Sequence, residues 1–352
     1  MTTRVEQRVA DIMRACPVRR ASLAAALMAG ALAAGPVAQG ADGISAPSPT
    51  MAGPNAGAPT STTAEIIPKT IEAPALTLDN NSAGPESSFA SRIHGYGDLR
   101  LLSAHLTRRG VMTVDKGVVF QPSGGLVIDL FDFDGPITNV SFVTTVWADL
   151  NSAHPGTGCF EEFDYAAGVS VSFLKYWTAN GNWMFWTFPD SDTPNMYNTD
   201  LKFTFNDESF FKQCALRPYV DLFWNYSGAS PVVFGTQHTM YAEVGVEPEY
   251  VLHLGDYPVT FKFPTYGSFG DSSFWGDGDG HTKTSNLGVF STGVRATVPL
   301  KFVPASFGKW SAYIGGTYIH TCNPSLTYAN EFIGSGSTHE RFVGFGGVTL
   351  TF

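Results

Sequence analysis

Residues 341–352 alternate between two kinds of side chain. Even-numbered positions are apolar or glycine, whereas the odd-numbered positions include Arg341, Thr349 and Thr351. Neighbouring side chains of a β-strand point to opposite faces, so this period of two predicts a strand with one apolar and one mixed face. Transmembrane barrels contain such strands, and soluble β-sandwiches end in strands too, so the rest of the chain has to distinguish the two folds.

The same alternation recurs along the chain from about Arg92 onward. It predicts twelve strands, an even number as in single-chain bacterial barrels. The predicted strands span residues 93–106, 121–132, 137–150, 161–174, 181–189, 196–206, 216–227, 239–253, 258–266, 287–302, 309–321 and 339–352.

The connections between these segments alternate in length. The longer connections are 107–120, 151–160, 190–195, 228–238, 267–286 and 322–338. The shorter connections are 133–136, 175–180, 207–215, 254–257 and 303–308. Outer-membrane barrels carry long loops on the exterior rim and short turns on the periplasmic rim, and sandwiches lack this alternation. We therefore predict an all-β fold, a transmembrane antiparallel β-barrel of about 12 strands in up-and-down meander order.

The composition agrees with a barrel. The 352 residues include 27 Phe, 13 Tyr, 7 Trp and 37 Gly, and only 15% are charged. Aromatic residues suit pleated strands, and glycine suits turns and close approaches between backbones. Beyond residue 40 no apolar run of about 18 residues exists, so no membrane-spanning helix is predicted there. A barrel escapes such a scan because the hydrophobicity of its strands alternates.

The first 90 residues differ from the barrel segments. Basic residues precede an Ala-rich apolar stretch at 21–34, and small residues follow it. This order is typical of a signal peptide, which we predict at 1–40. Residues 41–90 are rich in Pro, Ala, Ser and Thr, and this composition predicts a disordered linker before a barrel domain at 91–352.

The chain carries a formal charge of −10 at pH 7. Removal of residues 1–40 takes away five Arg and two acidic residues, so the mature chain carries −13. Phosphate backbones require a basic surface, which argues against nucleic acid as a partner. In an oxidising compartment the three remaining cysteines permit one disulfide. Cys159 and Cys322 both fall in longer connections, whereas Cys214 falls at the other rim, so a Cys159–Cys322 disulfide is our hypothesis.

Charged residues follow one parity of the predicted strands. In 241–252, for example, Glu243, Glu247 and Glu249 share one face, and the other face is apolar. A charge that faces lipid costs about 2–4 kcal/mol for Arg or Lys and less for acids, so the charged faces are expected to point inward. The predicted lumen-lining residues are Asp98, Arg100, Asp129, Asp149, Glu162, Asp164, Asp200, Lys202, Arg217, Asp221, Glu243, Glu247, Glu249, Lys262, Arg295 and Arg341.

Two interpretations of this polar interior stay open. The acids and bases can pair and fill a narrow barrel that conducts nothing, or they can line a path that selects among small polar solutes. Acids outnumber bases, which predicts a preference for cations in the second case. We expect a narrow porin-like channel for small polar or cationic solutes. The alternatives are a closed structural barrel and a secreted β-sandwich binding module.

Other motifs favour simpler explanations. The histidines near strand ends occur in no His-x-Ser-Asn-Gly arrangement of an outer-membrane hydrolase, so we expect no enzyme activity. Residues 277–280 alternate Asp and Gly like part of a calcium loop, but the distal Glu is missing, so no metal or cofactor is predicted. Aromatic residues near segment ends predict membrane-interface girdles, or a sandwich core, at Trp147, Trp183, Trp186, Trp224, Tyr257, Trp310 and Tyr318.

Several short motifs resemble the start of the TorF family of porins. They are Tyr-Gly-Asp-Leu-Arg at 96–100, Arg-Gly-Val at 109–111, Gln-Pro at 121–122, Trp-Ala-Asp at 147–149 and Glu-Glu-Phe-Asp-Tyr at 161–165. In that family a first strand ends at an Arg-Gly turn, the third strand contains Trp and the fourth begins with acidic residues. The resemblance covers 92–226, and the chain departs from the family at the acidic loop 271–281 and in its Pro-rich linker. It implies an outer-membrane barrel more firmly than it implies a solute.

The expected partners follow from this fold. A barrel of this kind lies in outer-membrane lipid and lipopolysaccharide, is inserted by the barrel-assembly machinery and passes a small solute. The aromatic Phe352 at the end of the last strand fits the signal that this machinery reads.

Overall fold

The described residues form one closed β-barrel. The computed structural model describes residues 92–153, 159–211, 215–276 and 286–352. Four predicted features lie outside these ranges: the signal peptide at 1–40, the linker at 41–90, the rim position of Cys214 and the Asp-Gly motif at 277–280. Within the described ranges, no helix is long and apolar enough to cross a membrane.

The strands and helices are numbered here in chain order. The strands are β1 (Ile93–Leu102), β2 (His105–Leu106), β3 (Met112–Val114), β4 (Val119–Asp132), β5 (Ile137–Asn151), β6 (Phe160–Phe173), β7 (Trp177–Thr187), β8 (Met196–Phe205), β9 (Tyr219–Gly228), β10 (Thr239–Val246), β11 (Glu249–Leu254), β12 (Tyr257–Lys262), β13 (Thr265–Gly270), β14 (Leu287–Pro299), β15 (Lys309–Thr321) and β16 (Glu340–Thr351). The helices are α1 (Glu208–Phe211), α2 (Ser272–Trp275) and α3 (Pro324–Phe332), and a 3-10 turn spans Ala305–Phe307.

The barrel wall contains twelve strands. β10 with β11 and β12 with β13 are the halves of two wall strands, and β2 with β3 forms a separate hairpin. Pro248 and Pro264 lie at the two breaks, because proline lacks the N–H that a ladder hydrogen bond needs. Each wall strand pairs antiparallel with its neighbours in chain order, and β1 pairs with β16 to close the cylinder. The predicted fold class, a twelve-stranded antiparallel barrel in meander order, is confirmed.

The two rims differ, as the connection lengths predict. We call the end at which β1 starts and β16 finishes the terminal rim, and the opposite end the loop rim. The terminal rim carries the connections 133–136, 174–176, 206–218, 255–256 and 300–308. The loop rim carries 103–118, 152–159, 188–195, 229–238, 271–286 and 322–339.

Outward and inward faces alternate along the wall strands. Val244, Ile314 and Phe342 are exposed apolar side chains on the outer surface. The girdle prediction is wrong for Trp147 and Trp186, which are buried because they share the inward parity of their strands. Residues of the predicted girdle that are exposed on the outer surface are Trp183, Trp224 and Tyr257.

Inside the barrel, aromatic rings lie over glycines of the neighbouring strand. The cross-strand pairs are Tyr96–Gly125, Tyr219–Gly245, Tyr313–Gly347 and Phe345–Gly315. The Tyr313 ring passes over Gly347 so that its hydroxyl donates a hydrogen bond to Asp98 Oδ2 at 2.9 Å. A Cβ on Gly347 would lie 2.5 Å from the Tyr313 Oη and 2.4 Å from the Leu99 carbonyl oxygen. Glycine is therefore required here by close packing across two strands.

We predict that Gly347→Ala destabilises the barrel by about 1–3 kcal/mol, the usual cost of overpacking a filled interior. Gly344→Ala is the matched control on the same strand, because the nearest atom to its added Cβ is Ser103 Oγ at 3.9 Å. The measurement is the urea midpoint of barrels refolded into lipid vesicles. Equal midpoints for the two variants would contradict the packing of Tyr313 over Gly347.

Candidate functional site

The connection between β1 and β4 folds into the barrel instead of standing above it. We call residues 103–118 the lumen loop. Residues 104–112 are all buried, and the chain reverses between Thr107 and Val111, where Gly110 adopts a φ of +82°. The Val111 carbonyl accepts a 2.9 Å hydrogen bond from the Thr107 N–H, and β2 pairs with β3 below this tip. The prediction of a first strand reaching residue 106 and an outward connection at 107–120 is therefore wrong.

Arg108 lies at the tip of the lumen loop and contacts the opposite wall. Its Nε donates to Glu243 Oε2 at 3.1 Å, and its Nη2 contacts Glu243 Oε1 and donates to the Tyr219 hydroxyl at 2.9 Å. The Tyr219 hydroxyl in turn donates to Glu243 Oε1 at 2.5 Å, and the Tyr266 hydroxyl donates to the Arg108 carbonyl at 3.3 Å. Arg108 is 1% exposed and Glu243 is fully buried, so this is a desolvated, bidentate ion pair.

Arg109 lies beside Arg108 among aromatic rings. Its guanidinium carbon is 4.6 Å from the ring centre of Trp186, 4.2 Å from that of Phe223 and 5.5 Å from that of Tyr241. Burial lowers the pKa of Arg109, and the neighbouring Tyr241, Glu162 and Asp221 oppose that effect. Arginine stays charged in proteins, so the rings and acids hold a permanent cation in the interior.

The predicted glutamates of β10, of β11 and of the break between them form a column down one wall, and each contacts a base. Below the Arg108–Glu243 pair, Glu247 lies 3.1 Å from Lys202 Nζ and 3.6 Å from Lys262 Nζ. Near the terminal rim, Arg217 Nη1 lies 3.1 Å from Glu249 Oε2. The bases come from the lumen loop, from β8, from β12 and from the 206–218 connection, so the column ties several elements together.

The other predicted lumen residues also lie on the inner side or at its rims. Arg295 stacks on Tyr313, with its guanidinium carbon 3.7 Å from the ring centre, and Arg100 stacks on Phe345 at 4.1 Å. Arg341 lies at the loop rim, where its Nη2 donates to the Ser335 and Gly336 carbonyls. The buried residues are Asp98, Arg100, Asp149, Glu162, Asp164, Asp200, Lys202, Asp221, Glu243, Lys262 and Arg295. The partly buried ones are Asp129, Arg217, Glu247, Glu249 and Arg341.

Other loop-rim connections pack onto the lumen loop and hold it in place. On α3, Asn330 accepts a hydrogen bond from the Met112 N–H and donates one to the Gly110 carbonyl, each at 2.9 Å. Ser335 Oγ donates to the Met112 carbonyl at 3.0 Å. On α2, Phe274 and Trp275 are fully buried, and Phe274 stacks on Tyr241 inside the barrel. The described parts of these two connections thus cover the lumen loop at the loop rim.

A second charged cluster joins the lumen loop to β5 and β6. His105 Nδ1 contacts Asp149 Oδ2 and lies 3.6 Å from Glu161 Oε2, and the three residues are buried. Glu161 points inward because of a β-bulge: Asp149 pairs with Glu162 and Leu150 pairs with Phe160, so Glu161 is the extra residue. Asn151 Nδ2 donates to Glu161 Oε2 at 3.1 Å. This is the place among the described residues where three side chains could together hold a metal ion.

The charge of His105 is set by this cluster. Burial alone would lower the pKa of His105, but the adjacent Asp149 and Glu161 carboxylates outweigh burial and raise the pKa to about 9. The two carboxylates therefore attract positive charge to this point of the lumen.

The predicted Cys159–Cys322 disulfide is wrong, because Cys159 is disulfide-bonded whereas Cys322 is a free thiol. Both residues lie at the loop rim, as predicted. Two cysteines on the same rim form a disulfide only if their sulfur atoms come within bonding distance, and the sequence does not reveal that distance. Among the histidines considered for catalysis, His339 Nδ1 lies 3.0 Å from the Thr321 carbonyl oxygen and 3.2 Å from Thr327 Oγ1.

The main residues that the sequence did not identify are His105, Arg108, Arg109 and Glu161. A usable signal was present in the lumen loop, where Leu106, Val111, Met112 and Val114 are apolar in a segment expected to face water. No comparable signal exists for Glu161, because strict alternation assigns it to the lipid face and only the bulge reverses it.

Of the known proteins, some solved structures are similar to this chain. No family model matches the chain, and no curated protein matches it, so the resemblance to the TorF family stays a prediction. Similar solved structures include the KdgM porin, with a TM-score of 0.36, 11% identity, and coverage of 73% of this chain and 99% of that one. The NanC porin has a TM-score of 0.38, 11% identity, and coverage of 73% and 98%. The COG4313 outer membrane channel from Pseudomonas putida F1 has a TM-score of 0.38, 8% identity, and coverage of 74% and 95%.

Proposed function

We propose that this protein is an outer-membrane β-barrel that forms a narrow porin-like channel for small polar or cationic solutes. The observation that carries the proposal is the closed strand cylinder whose outer face is apolar and whose interior holds charged side chains around the lumen loop. A wall of this kind satisfies its backbone hydrogen bonds internally, as a membrane requires. The lumen loop is then the constriction, because Arg108 and Arg109 reach across the barrel to β7, β9 and β10.

The predicted preference for cations rests on the balance of charge in the interior. The glutamate column is matched by Arg108, Lys202, Lys262 and Arg217. The strands β6, β8 and β9 add four buried acids, Glu162, Asp164, Asp200 and Asp221, and Arg109 lies near Glu162 and Asp221. Fixed charges of one sign along a narrow path favour ions of the opposite sign.

A closed structural barrel is the second candidate, and a specific observation favours it. Arg108 and Arg109 are each only 1% exposed, and α2 and α3 pack over the loop rim. Single-channel recording of the mature chain in planar bilayers distinguishes the two functions. We expect discrete ion steps whose reversal potential in a salt gradient has the sign of cation preference. Folded protein that gives no steps would show a closed barrel.

We predict that Glu247→Gln shifts the reversal potential toward anion preference, because it leaves Lys202 and Lys262 without their shared carboxylate. Glu208→Gln is the control, since Glu208 carries the same charge at the terminal rim with 46% of its side chain exposed. Screening by salt weakens an exposed charge, so the control should change little. Identical reversal potentials for the two variants would mean that Glu247 does not face the conduction path.

The location and processing of the chain belong to the same proposal. We propose export by a signal peptide cleaved near residue 40, a linker to residue 90, and insertion into outer-membrane lipid and lipopolysaccharide by the barrel-assembly machinery, with Phe352 as the terminal signal. The Phe352 backbone pairs with Gly95 across the closure, at 2.9 and 3.0 Å. Fractionation with outer membranes and heat-modifiable migration on gels test the location. Recovery in the soluble fraction would favour a secreted binding module.

A further inference from the structure

We propose that His105, Asp149 and Glu161 form a binding site for one divalent transition-metal ion, with Zn²⁺ as the best fit. The three side chains come from β2, β5 and β6 and meet at the point where the lumen loop contacts the wall. An ion bound here would fasten the lumen loop to two wall strands. This inference concerns a site within the barrel and does not depend on whether the barrel conducts.

The candidate ligand atoms lie close together, with His105 Nδ1 in direct contact with Asp149 Oδ2. One nitrogen or oxygen from each residue lies within 4.8 Å of the others, and His105 Nδ1 is 3.6 Å from Glu161 Oε2. Zinc is bound by histidine nitrogen and carboxylate oxygen at about 2.0–2.2 Å, so its ligand atoms lie about 3–4 Å apart. An imidazole with two carboxylates suits Zn²⁺ better than it suits Ca²⁺ or Mg²⁺, which take oxygen ligands.

The buried negative charge of the two carboxylates also favours a bound cation. The side chains of His105 and Asp149 are fully buried, and that of Glu161 is 11% exposed. The Oδ1 of Asp149 and the Nε2 of His105 lack a hydrogen-bond partner among the described residues. Burial of charged oxygens without hydrogen bonds is costly, and coordination to an ion supplies the missing partner.

The surroundings are built to present these ligands. The β-bulge turns Glu161 inward, against the alternation of its strand. Asn151 then donates to Glu161 Oε2 at 3.1 Å, as residues around metal ligands commonly do. The centre of the Trp147 ring lies 6.0 Å from that of the His105 ring. An ion pair between a protonated His105 and the two acids would give the same contacts, and metal titration distinguishes the two.

The test titrates Zn²⁺ against the metal-free mature barrel in detergent, in competition with a chromophoric chelator. We expect one tight site per chain in the wild type. His105→Gln and Asp149→Asn should each weaken it by more than about 100-fold, beyond the range seen for residues that only support ligands. Asn151→Ala should weaken it by about 10-fold, within that supporting range. Heat-modifiable migration on gels verifies that every variant has folded.

Two control variants separate this cluster from ordinary histidines. His94→Gln removes a similar contact, since His94 Nε2 lies 3.1 Å from Asp129 Oδ2 without a second carboxylate. His339→Gln alters the loop rim, where the His339 and His320 rings stack at 6.1 Å beside Cys322. Both controls should keep the tight site. Loss of tight binding in His339→Gln with retention in His105→Gln would overturn the proposal.

Cobalt gives an independent signature. Co²⁺ in the site should show visible absorption of a nitrogen and oxygen environment, without the sulfur charge-transfer band that Cys322 would produce. The absorption should vanish in His105→Gln and persist in His94→Gln. Absence of any tight Zn²⁺ or Co²⁺ site in folded wild-type protein would show that His105, Asp149 and Glu161 form an ion pair only. The titration and the cobalt spectrum are measured in detergent without ion flow, so their outcome does not depend on the channel proposal.

Discussion

Removing the lumen loop should raise the single-channel conductance several-fold. The wall register shows how to remove it: Leu102 pairs directly with Val119, so an Asn-Gly turn can replace residues 103–118 and join β1 to β4 as a tight hairpin. The replacement deletes Arg108 and Arg109, whose side chains span the interior. Water would then reach Glu243 and the acids of β6, β8 and β9, which a polar lumen tolerates.

The control for this deletion lies in the same loop. Lys116 is exposed on the outer part of the lumen loop, so Lys116→Met changes its charge without disturbing the buried tip. We expect the wild-type conductance for Lys116→Met and a larger, less selective conductance for the hairpin variant. A hairpin variant that folds and conducts like the wild type would show that the loop is not the constriction. A wild type that is silent and a hairpin variant that conducts would identify the loop as a plug.

The wall of this barrel could be predicted from sequence because lipid imposes a simple rule on every strand. Apolar side chains recur at every second position, and a charge that faces lipid is costly. The inward direction of Glu243, Glu247 and Glu249 can therefore be predicted from the sequence. The contents of the barrel follow no such rule. Whether residues 103–118 stand above the rim or fold inside depends on partners more than a hundred residues away, such as Glu243 and Asn330.

Two local irregularities also escaped prediction for physical reasons. The β-bulge at Glu161 adds one residue to β6 and reverses the side-chain direction, and a single inserted residue leaves no mark on the alternation. The prolines at 248 and 264 divide two wall strands, yet the inward parity continues from Glu243 through Glu249. The two proline breaks therefore did not affect the predicted lumen residues. The bulge did, because it hid Glu161, a member of the cluster around His105.

Arg108→Met should destabilise the barrel by about 3–5 kcal/mol, the usual cost of breaking a buried ion pair by removing one partner. Glu243 is fully buried, and in the variant the Tyr219 hydroxyl still donates one hydrogen bond to it but no longer shares it with Arg108. The measurement is the free energy of unfolding in urea for barrels refolded into vesicles. Lys116→Met, an exposed change in the same loop, should alter it by less than about 0.5 kcal/mol.

A double-mutant cycle then tests the physical cause of that loss. Adding Glu243→Gln to Arg108→Met removes the uncompensated charge but keeps the shape of the side chain, so stability should recover by more than half. Glu243→Gln alone leaves Arg108 buried with a neutral acceptor and should also be destabilising. If the double variant is no more stable than Arg108→Met, the loss comes from packing of the arginine stem among Tyr219 and Tyr266. Recovery would establish that the Arg108–Glu243 ion pair holds the lumen loop against the wall.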